Sequence, residues 1–438
     1  MAFELQKAKD SRANSSIFTS INANPGIECG RGTCCRQPKG IKIMAKWIKN
    51  YFSGLSRNTF LLALASLFSD IATEMLYPIL PIFLTHTLHA SGSIVGLVEG
   101  IARATQNIAQ AFSGWLSDKL QKRKSIALAG YFLAAIAKPL PGVSSGWQGV
   151  LGARFLDRLG TGTRSAPRDA LIASSVTQKH RGKAFGLEGI GDNSGAFLGP
   201  LLAVFLLVYI TIDIRLIFYL AFIPGFLAFC MILLVKENPV VVQTKSTLDT
   251  SFRQFPKSYW KYLLVTALFS IGNSSNAFLI LQMQSIGISL ITTILIYAGF
   301  NLVAALISFP AGSLSDQFGR KNILLASFII FFFTYLGFAL THHMILIAIL
   351  FILYGLYQGI FRSVGKALAI DLVPEHLHAS GIGYYTATIG LLELVASVVA
   401  GLLWDQVSHA AVFLYGAVFS IAGSIMLMRL VPSTGKFE

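Results

Sequence analysis

Between residues 59 and 431 the chain is a succession of apolar runs separated by short polar turns. A helix rises about 1.5 Å per residue, so roughly 20 apolar residues cross the ~30 Å hydrocarbon core of a bilayer. The pattern therefore predicts twelve transmembrane helices near 59–85, 92–116, 125–142, 147–166, 184–208, 214–235, 258–282, 289–313, 322–341, 344–366, 380–404 and 410–431. The connections alternate in charge, as expected of a chain whose cytoplasmic loops retain Lys and Arg. Segment 118–124 carries Lys119, Lys122, Arg123 and Lys124, and segment 164–183 carries Arg164, Arg168, Lys179, Arg181 and Lys183. The turns at 85–92, 142–147, 283–289, 341–344 and 404–411 carry neither Lys nor Arg. The expectation is an all-α integral membrane protein with both termini cytoplasmic.

The longest internal polar stretch, 236–257, divides the predicted helices into two sets of six. The expected organisation is a basic cytoplasmic tail (1–57), a six-helix bundle (58–235), a cytoplasmic linker (236–257), a second six-helix bundle (258–432) and a short C-terminal tail (433–438). Internal repetition supports this division. Gly114-Trp-Leu-Ser-Asp118 returns as Gly312-Ser-Leu-Ser-Asp316, displaced by 198 residues, and Gly186 returns as Gly383, displaced by 197. A duplicated unit related by an axis along the membrane normal is the natural reading.

Composition agrees: 54% of the 438 residues are hydrophobic and only 13% charged. The net charge of +15 does not indicate a nucleic-acid partner, because the basic residues lie mainly in short loops and not on one soluble face. Four cysteines, three of them clustered at Cys29, Cys34 and Cys35, build no disulfide framework, and no His stands at zinc-site spacing. No metal site is expected. Gly142-Val-Ser-Ser-Gly146 contains the Gly-x-Ser-x-Gly letters in a short turn and lacks the strand-to-helix context of a hydrolase. Without a phosphate-binding loop the expected energy source is an ion gradient, with no cofactor.

The repeated loop carries a family resemblance. Gly114-x-x-x-Asp118-Lys119-x-x-Lys122-Arg123 and Gly312-x-x-x-Asp316-x-x-Gly319-Arg320-Lys321 resemble the signature of the major facilitator superfamily, between helices two and three and again between eight and nine. Gln121 and Gln317 each depart from it once. The resemblance implies two pseudo-symmetric six-helix bundles and a cytoplasmic gate, with Asp118 the stronger gate residue and Asp316 its weaker copy. A second pattern on helix five, Gly186, Gly195, Gly199-Pro200 and Ala203, resembles that of the antiporter branch and implies efflux. Its glycines are expected to pack against the neighbouring half.

Ionisable residues at membrane depth are costly unless paired or hydrated, and so mark function. Helix one carries Asp70 and Glu74, helix two Glu99 and Arg103, helix four Arg154, Asp157 and Arg158; helix five adds Glu188 and Asp192 nearer the cytoplasm. These groups compensate one another if the helices face a shared cavity. Glu74 and Glu99 are the expected proton carriers, with Arg103 and Arg154 as their partners or as anchors for an anionic group; a permanent salt-bridge lattice is the alternative. The second half offers neutral groups, Asn273, Asn276, Asn301 and Tyr354, with Glu393 as its mid-helix acid. The expected function is proton-coupled efflux of a small organic solute by a monomer in the cell inner membrane. Uptake of an organic acid or siderophore-like chelate, and a transport-silent sensor, are the alternatives.

The first 57 residues hold ten basic residues against three acidic ones and no apolar run long enough for a signal-peptide core. They read as a disordered cytoplasmic tail, and Met44, which opens a basic amphipathic lead-in, reads as the start of the functional protein.

Overall fold

The computed structural model describes residues 54–120, 122–210, 213–237, 255–374 and 377–431, without the side chains of Asp118, Lys179, Phe309 and Ala379. The expectations for residues 1–53, with the three clustered cysteines, and for most of the linker lie outside the described residues.

All described regular structure is helical. The long helices, some interrupted, are α1 (Arg57–Glu74), α2 (Gly92–Leu120), α3 (Arg123–Val143), α4 (Trp147–Ser174), α5 (Arg181–Tyr209) and α6 (Ile214–Leu233), then α7 (Lys257–Ser285), α8 (Leu290–Phe318), α9 (Arg320–Leu340), α10 (Met344–Asp371), α11 (His378–Gln406) and α12 (His409–Leu430). Among the described residues, nine helices are long and apolar enough to cross a membrane. The three that fall short, α1, α2 and α4, carry the clustered charges, so their polarity has a local cause.

Local chemistry sets the helix ends. Ser56, Ser289 and Ser408 cap α1, α8 and α12 by accepting bonds from the backbone N–H of Thr59, Thr292 and Ala411. Around Pro78 and Pro81 the expected single first helix breaks: α1 stops at Glu74, and a short Leu80–Ile82 helix and a π turn over Phe83–Thr87 follow. Proline removes the backbone donor a continuous helix needs. Similar breaks interrupt α3 after Ala137 and α7 after Gly272. Gly319 turns α8 into α9 with φ at +88°, a conformation that favours glycine.

Packing repeats in two sets. In the first, α1 contacts α5 and α6, and α4 contacts α2 and α3; in the second, α7 contacts α11 and α12, and α10 contacts α8 and α9. The sets meet mainly through two helix pairs, α2 with α11 and α5 with α8. Each pair joins the second helix of one set to the fifth of the other. Two lysines repeat as well: Lys124 Nζ donates to the Leu233 carbonyl at the end of α6, and Lys321 Nζ to the Met428 and Val431 carbonyls at the end of α12. They stand 197 residues apart.

Candidate solute cavity

A cavity of about 390 Å³ lies between the two sets, lined by α1, α2, α4 and α5 on one side and α7, α8, α10 and α11 on the other. Every residue expected to form the cavity lines it except Asp157, which lies behind its wall. The gate residues Gly114, Lys119, Gly312, Asp316 and Arg320 and the helix-five residues Gly186, Gly195, Gly199 and Pro200 are not among its lining.

The N-terminal wall is an ion-pair network. Arg154 donates from Nε and Nη2 to Glu99 Oε1 at 3.1 and 2.6 Å, and its Nη1 approaches Asp157 Oδ2 at 3.4 Å. Asp157 also pairs with Lys138 Nζ at 2.8 Å and Arg158 Nε at 3.4 Å. Lys138 donates onward to Thr73 Oγ1 at 2.8 Å, and Arg158 to Gln106 Oε1 at 3.2 Å. Such burial is tolerated because each ion faces an opposite charge. Lys138 escapes a sequence reading because it falls among alanines near the end of a run that is otherwise apolar.

Arg103 departs from expectation. Its Nε pairs with Glu393 Oε2 on α11 at 3.2 Å, so it joins the two halves and does not serve Glu74 or Glu99. The α2–α11 contact that delivers this pairing is close: a Cβ on Gly96 would lie 2.1 Å from the Ser397 carbonyl, and Asn107 packs on Gly390. Glu74 has no ion pair among the described residues. It accepts bonds from Tyr297 Oη at 2.9 Å and Asn301 Nδ2 at 3.3 Å, both on α8. Tyr297 stacks on Tyr77 of the first half, with ring centroids 5.5 Å apart. In the C-terminal wall Tyr354 donates to Asn276 Oδ1 at 2.8 Å, and Asn273 Nδ2 approaches Glu393 Oε1 at 3.5 Å.

Two arginines change place relative to the sequence reading. Segment 164–183 is not all loop: α4 runs to Ser174, so Arg164 and Arg168 stand on the helix and line the cavity. Arg168 pairs with Asp169 and Glu188, each at 2.9 Å. Arg164 stacks over Tyr131, 4.5 Å from the ring centroid, and approaches Asp70 at 3.9 Å. The recurrence of polar residues at 154, 157, 158, 161, 164, 165 and 168 is the helical signal that places them on one stripe.

The helix-five glycines also act differently from expectation. Cβ atoms on Gly195 and Gly199 would lie 2.6 Å from the Leu67 carbonyl and 2.8 Å from the Ile71 carbonyl, both on α1 of the same half. The smooth face of α5 therefore packs within its own bundle, while Ala196, one position on, faces α8 and accepts from Asn301 Nδ2 at 2.9 Å. Gly186 is exposed.

At the loop signatures, Gly114 allows close approach of α4, where Ala166 Cβ would lie 3.2 Å from an added Cβ; Gly312 meets nothing within 4 Å. Lys119 Nζ lies 4.9 Å from the Trp115 ring centroid. Asp118's side chain lies outside the described residues. Its copy Asp316 does have a basic neighbour: Arg320 approaches it at 3.7 Å while pairing with Asp371 at 2.9 Å.

The family model described as Major Facilitator Superfamily matches residues 62–279 and again 262–437. The chain belongs to the major facilitator superfamily. An uncharacterized MFS-type transporter of Methanocaldococcus jannaschii, MJ1317, is 35% identical over 380 residues, covering 85% of this chain and 95% of that protein. The quinolone resistance protein NorA of Staphylococcus aureus is 22% identical, covering 81% and 91%. Among solved structures, the nucleoside transporter NupG aligns with a TM-score of 0.71 at 14% identity, covering 86% of this chain and 99% of that one, a likeness of fold. This superfamily member is a multi-pass membrane transporter of small solutes, not an enzyme.

Proposed function

We propose that the protein is a proton-coupled secondary transporter that exports a small organic solute across the cytoplasmic (inner) membrane by alternating access. It acts as a monomer with twelve crossings and cytoplasmic termini. The observation that carries this reading is Glu74, a carboxylate at the seam between the halves that touches two neutral donors of α8 and, among the described residues, no cation. Both Tyr297 and Asn301 donate to Glu74 Oε2; protonation removes the negative charge that strengthens these two bonds, and a proton on Oε2 itself turns that oxygen into a donor, so the contact with α8 is weaker in the neutral form. Proton binding on α1 is thereby linked to the position of α8, and rocking of one half against the other is what alternating access requires. Glu99, held twice by Arg154, is instead read as a fixed member of the network.

The α5 resemblance and the similarity to NorA support export, although α5 serves the fold through contact with α1. A transport-silent sensor with the same cavity would give no gradient-driven flux. In proteoliposomes, an imposed pH gradient is expected to drive proton movement through the wild-type protein in the presence of solute. Glu74→Gln, which keeps volume and one acceptor, is expected to abolish that coupling while the protein stays folded. Proton flux unchanged in Glu74→Gln would overturn the assignment.

A further inference from the structure

We infer that the cavity binds an organic anion, with its acidic group held between Arg158 and Arg164 on α4 and Arg362 and Lys366 on α10. The inference rests on reading the cavity as the solute path and deepens the proposed function by naming a substrate class; it depends neither on proton coupling nor on the direction of transport.

Among the described residues seven cationic side chains and five carboxylates line the cavity, and the pairings decide which cations are spare. Arg103, Arg154 and Arg168 are each matched to a carboxylate at 3.2 Å or less. Arg164 is not: it is 3% exposed, its contact with Asp70 is longer than a hydrogen bond, and its Nε and Nη1 have no protein acceptor. Arg158 is 9% exposed and keeps an unpartnered Nη2 after its bonds to Asp157 and Gln106. A buried guanidinium N–H with no acceptor is costly, and an anionic oxygen is the acceptor that returns most. Stacking on Tyr131 fixes the Arg164 plane, so little side-chain freedom is lost when a ligand docks.

The opposite wall supplies the second reason. Arg362 and Lys366 stand one helical turn apart on α10, face the cavity, and have no ion pair within 4.0 Å among the described residues. α4 and α10 are equivalent helices of the two repeats, so rocking that narrows this end of the cavity brings like charges of the two halves toward each other. Such closure is opposed by repulsion unless an anion lies between them. Bound anion therefore favours the closed arrangement through differential contacts in the two states, which is what a substrate must do to drive the cycle. Asp70 on α1 and Asp192 on α5 line the same cavity.

The test is binding to the purified full-length protein, read by thermal unfolding and by titration calorimetry. Benzoate and phenyl phosphate serve as anionic probes, with benzamide and phenol as their neutral matches. The anions are expected to bind and to raise the unfolding temperature, the neutral compounds to do neither. Arg164→Gln and the double variant Arg362→Gln/Lys366→Gln are expected to weaken anion binding about tenfold or more. The α10 pair is exposed to the cavity, so that variant leaves folding intact even where Arg164→Gln does not. Binding of neither anion, equal binding of the neutral matches, or undiminished affinity in the α10 variant would overturn the inference. Selective anion binding retained in Glu74→Gln, with proton flux lost, separates this site from the coupling residue; anion binding without any proton flux sinks the coupling proposal alone.

Discussion

At the scale of single residues, the buried charges behave as one network, and the consequence is measurable. Lys138 and Asp157 are about 4–5% exposed and share a 2.8 Å contact, with Arg154 and Arg158 closing around the same carboxylate. Removing one member leaves the others uncompensated in a poorly solvated site, at a cost of about 3–5 kcal/mol. Asp157→Asn, which leaves Lys138, Arg154 and Arg158 around a neutral amide, is therefore expected to lower the unfolding temperature sharply, whereas Lys138→Met added to it is expected to recover part of the loss, because one of the uncompensated cations is gone. Additive losses measured by thermal unfolding of both single variants and the double would show that the two residues act separately. The sequence carried the helix-four members of this network plainly, as Arg154, Asp157 and Arg158 on one stripe. It hid Lys138, whose partner Asp157 stands on the next helix, and it hid the Arg103–Glu393 pairing, because spacing along a helix says which face a side chain takes but not which helix stands opposite. Arg164 and Arg168 were obscured for another reason. Basic residues between apolar runs read as a loop under the positive-inside rule, and only the helical spacing of the stripe distinguishes a cavity wall from a solvated turn.

At the scale of elements, glycine decides how near two helices come, and the contacts show where that matters. α1 and α5 touch backbone to backbone at Gly191, Gly195 and Gly199, where an added Cβ would meet carbonyl oxygens at 2.5–2.8 Å. Small residues at such spacing are the ordinary device for tight helix packing in lipid, which lacks a hydrophobic drive for association. Gly195→Leu should therefore destabilise the N-terminal bundle itself and reduce the yield of folded protein, rather than open a leak between folded halves. Gly189→Ala, on the same helix but with nothing within 4 Å of an added Cβ, should be neutral. Folded protein recovered by size-exclusion chromatography compares the two directly; a well-folded Gly195→Leu that leaks protons would restore the inter-half role expected from the pattern alone. The element positions themselves were legible because a run of about 20 apolar residues has few alternatives. Their interruptions at Pro78 and Pro81 were foreshadowed by proline, while the break at Asn273–Asn276 carried no comparable signal.

At the scale of the whole molecule, the repeat gives each half the same skeleton and different chemistry. Arg103 and Glu393 bridge α2 to α11, and the residues displaced from them by 198 and 197, Asn301 and Ala196, bridge α8 to α5 through a neutral hydrogen bond of 2.9 Å. Likewise the buried Lys138–Asp157 pair has its counterpart, 197 residues on, in Tyr335 and Tyr354, whose rings lie 6.0 Å apart in the aromatic core of the second half. Charge is thus concentrated in one bundle while the second presents a stiff aromatic wall. The end of the molecule away from the basic loops is held by a further asymmetric contact: Asp405 of α11 accepts from the Gly92 and Ser93 amides at 2.8 Å each and from Ser93 Oγ, capping α2 from the opposite half. A carboxylate on the first N–H groups of a helix meets both its unpaired donors and the positive end of its dipole. Opening at this end must break that cap, so it stabilises the arrangement in which the Gly92 end is shut. Asp405→Ala is expected to shift the population toward opening there, by about five- to thirtyfold for the ~1–2 kcal/mol a capping side chain contributes. A cysteine placed at Ser274 in the cavity, in a background with the native cysteines replaced by serine, reports the shift through its labelling rate with an impermeant thiol reagent applied from that face. Faster labelling in Asp405→Ala than in its parent is the expected result, and an unchanged rate would mean that the close α2–α11 packing, not the cap, keeps this end closed.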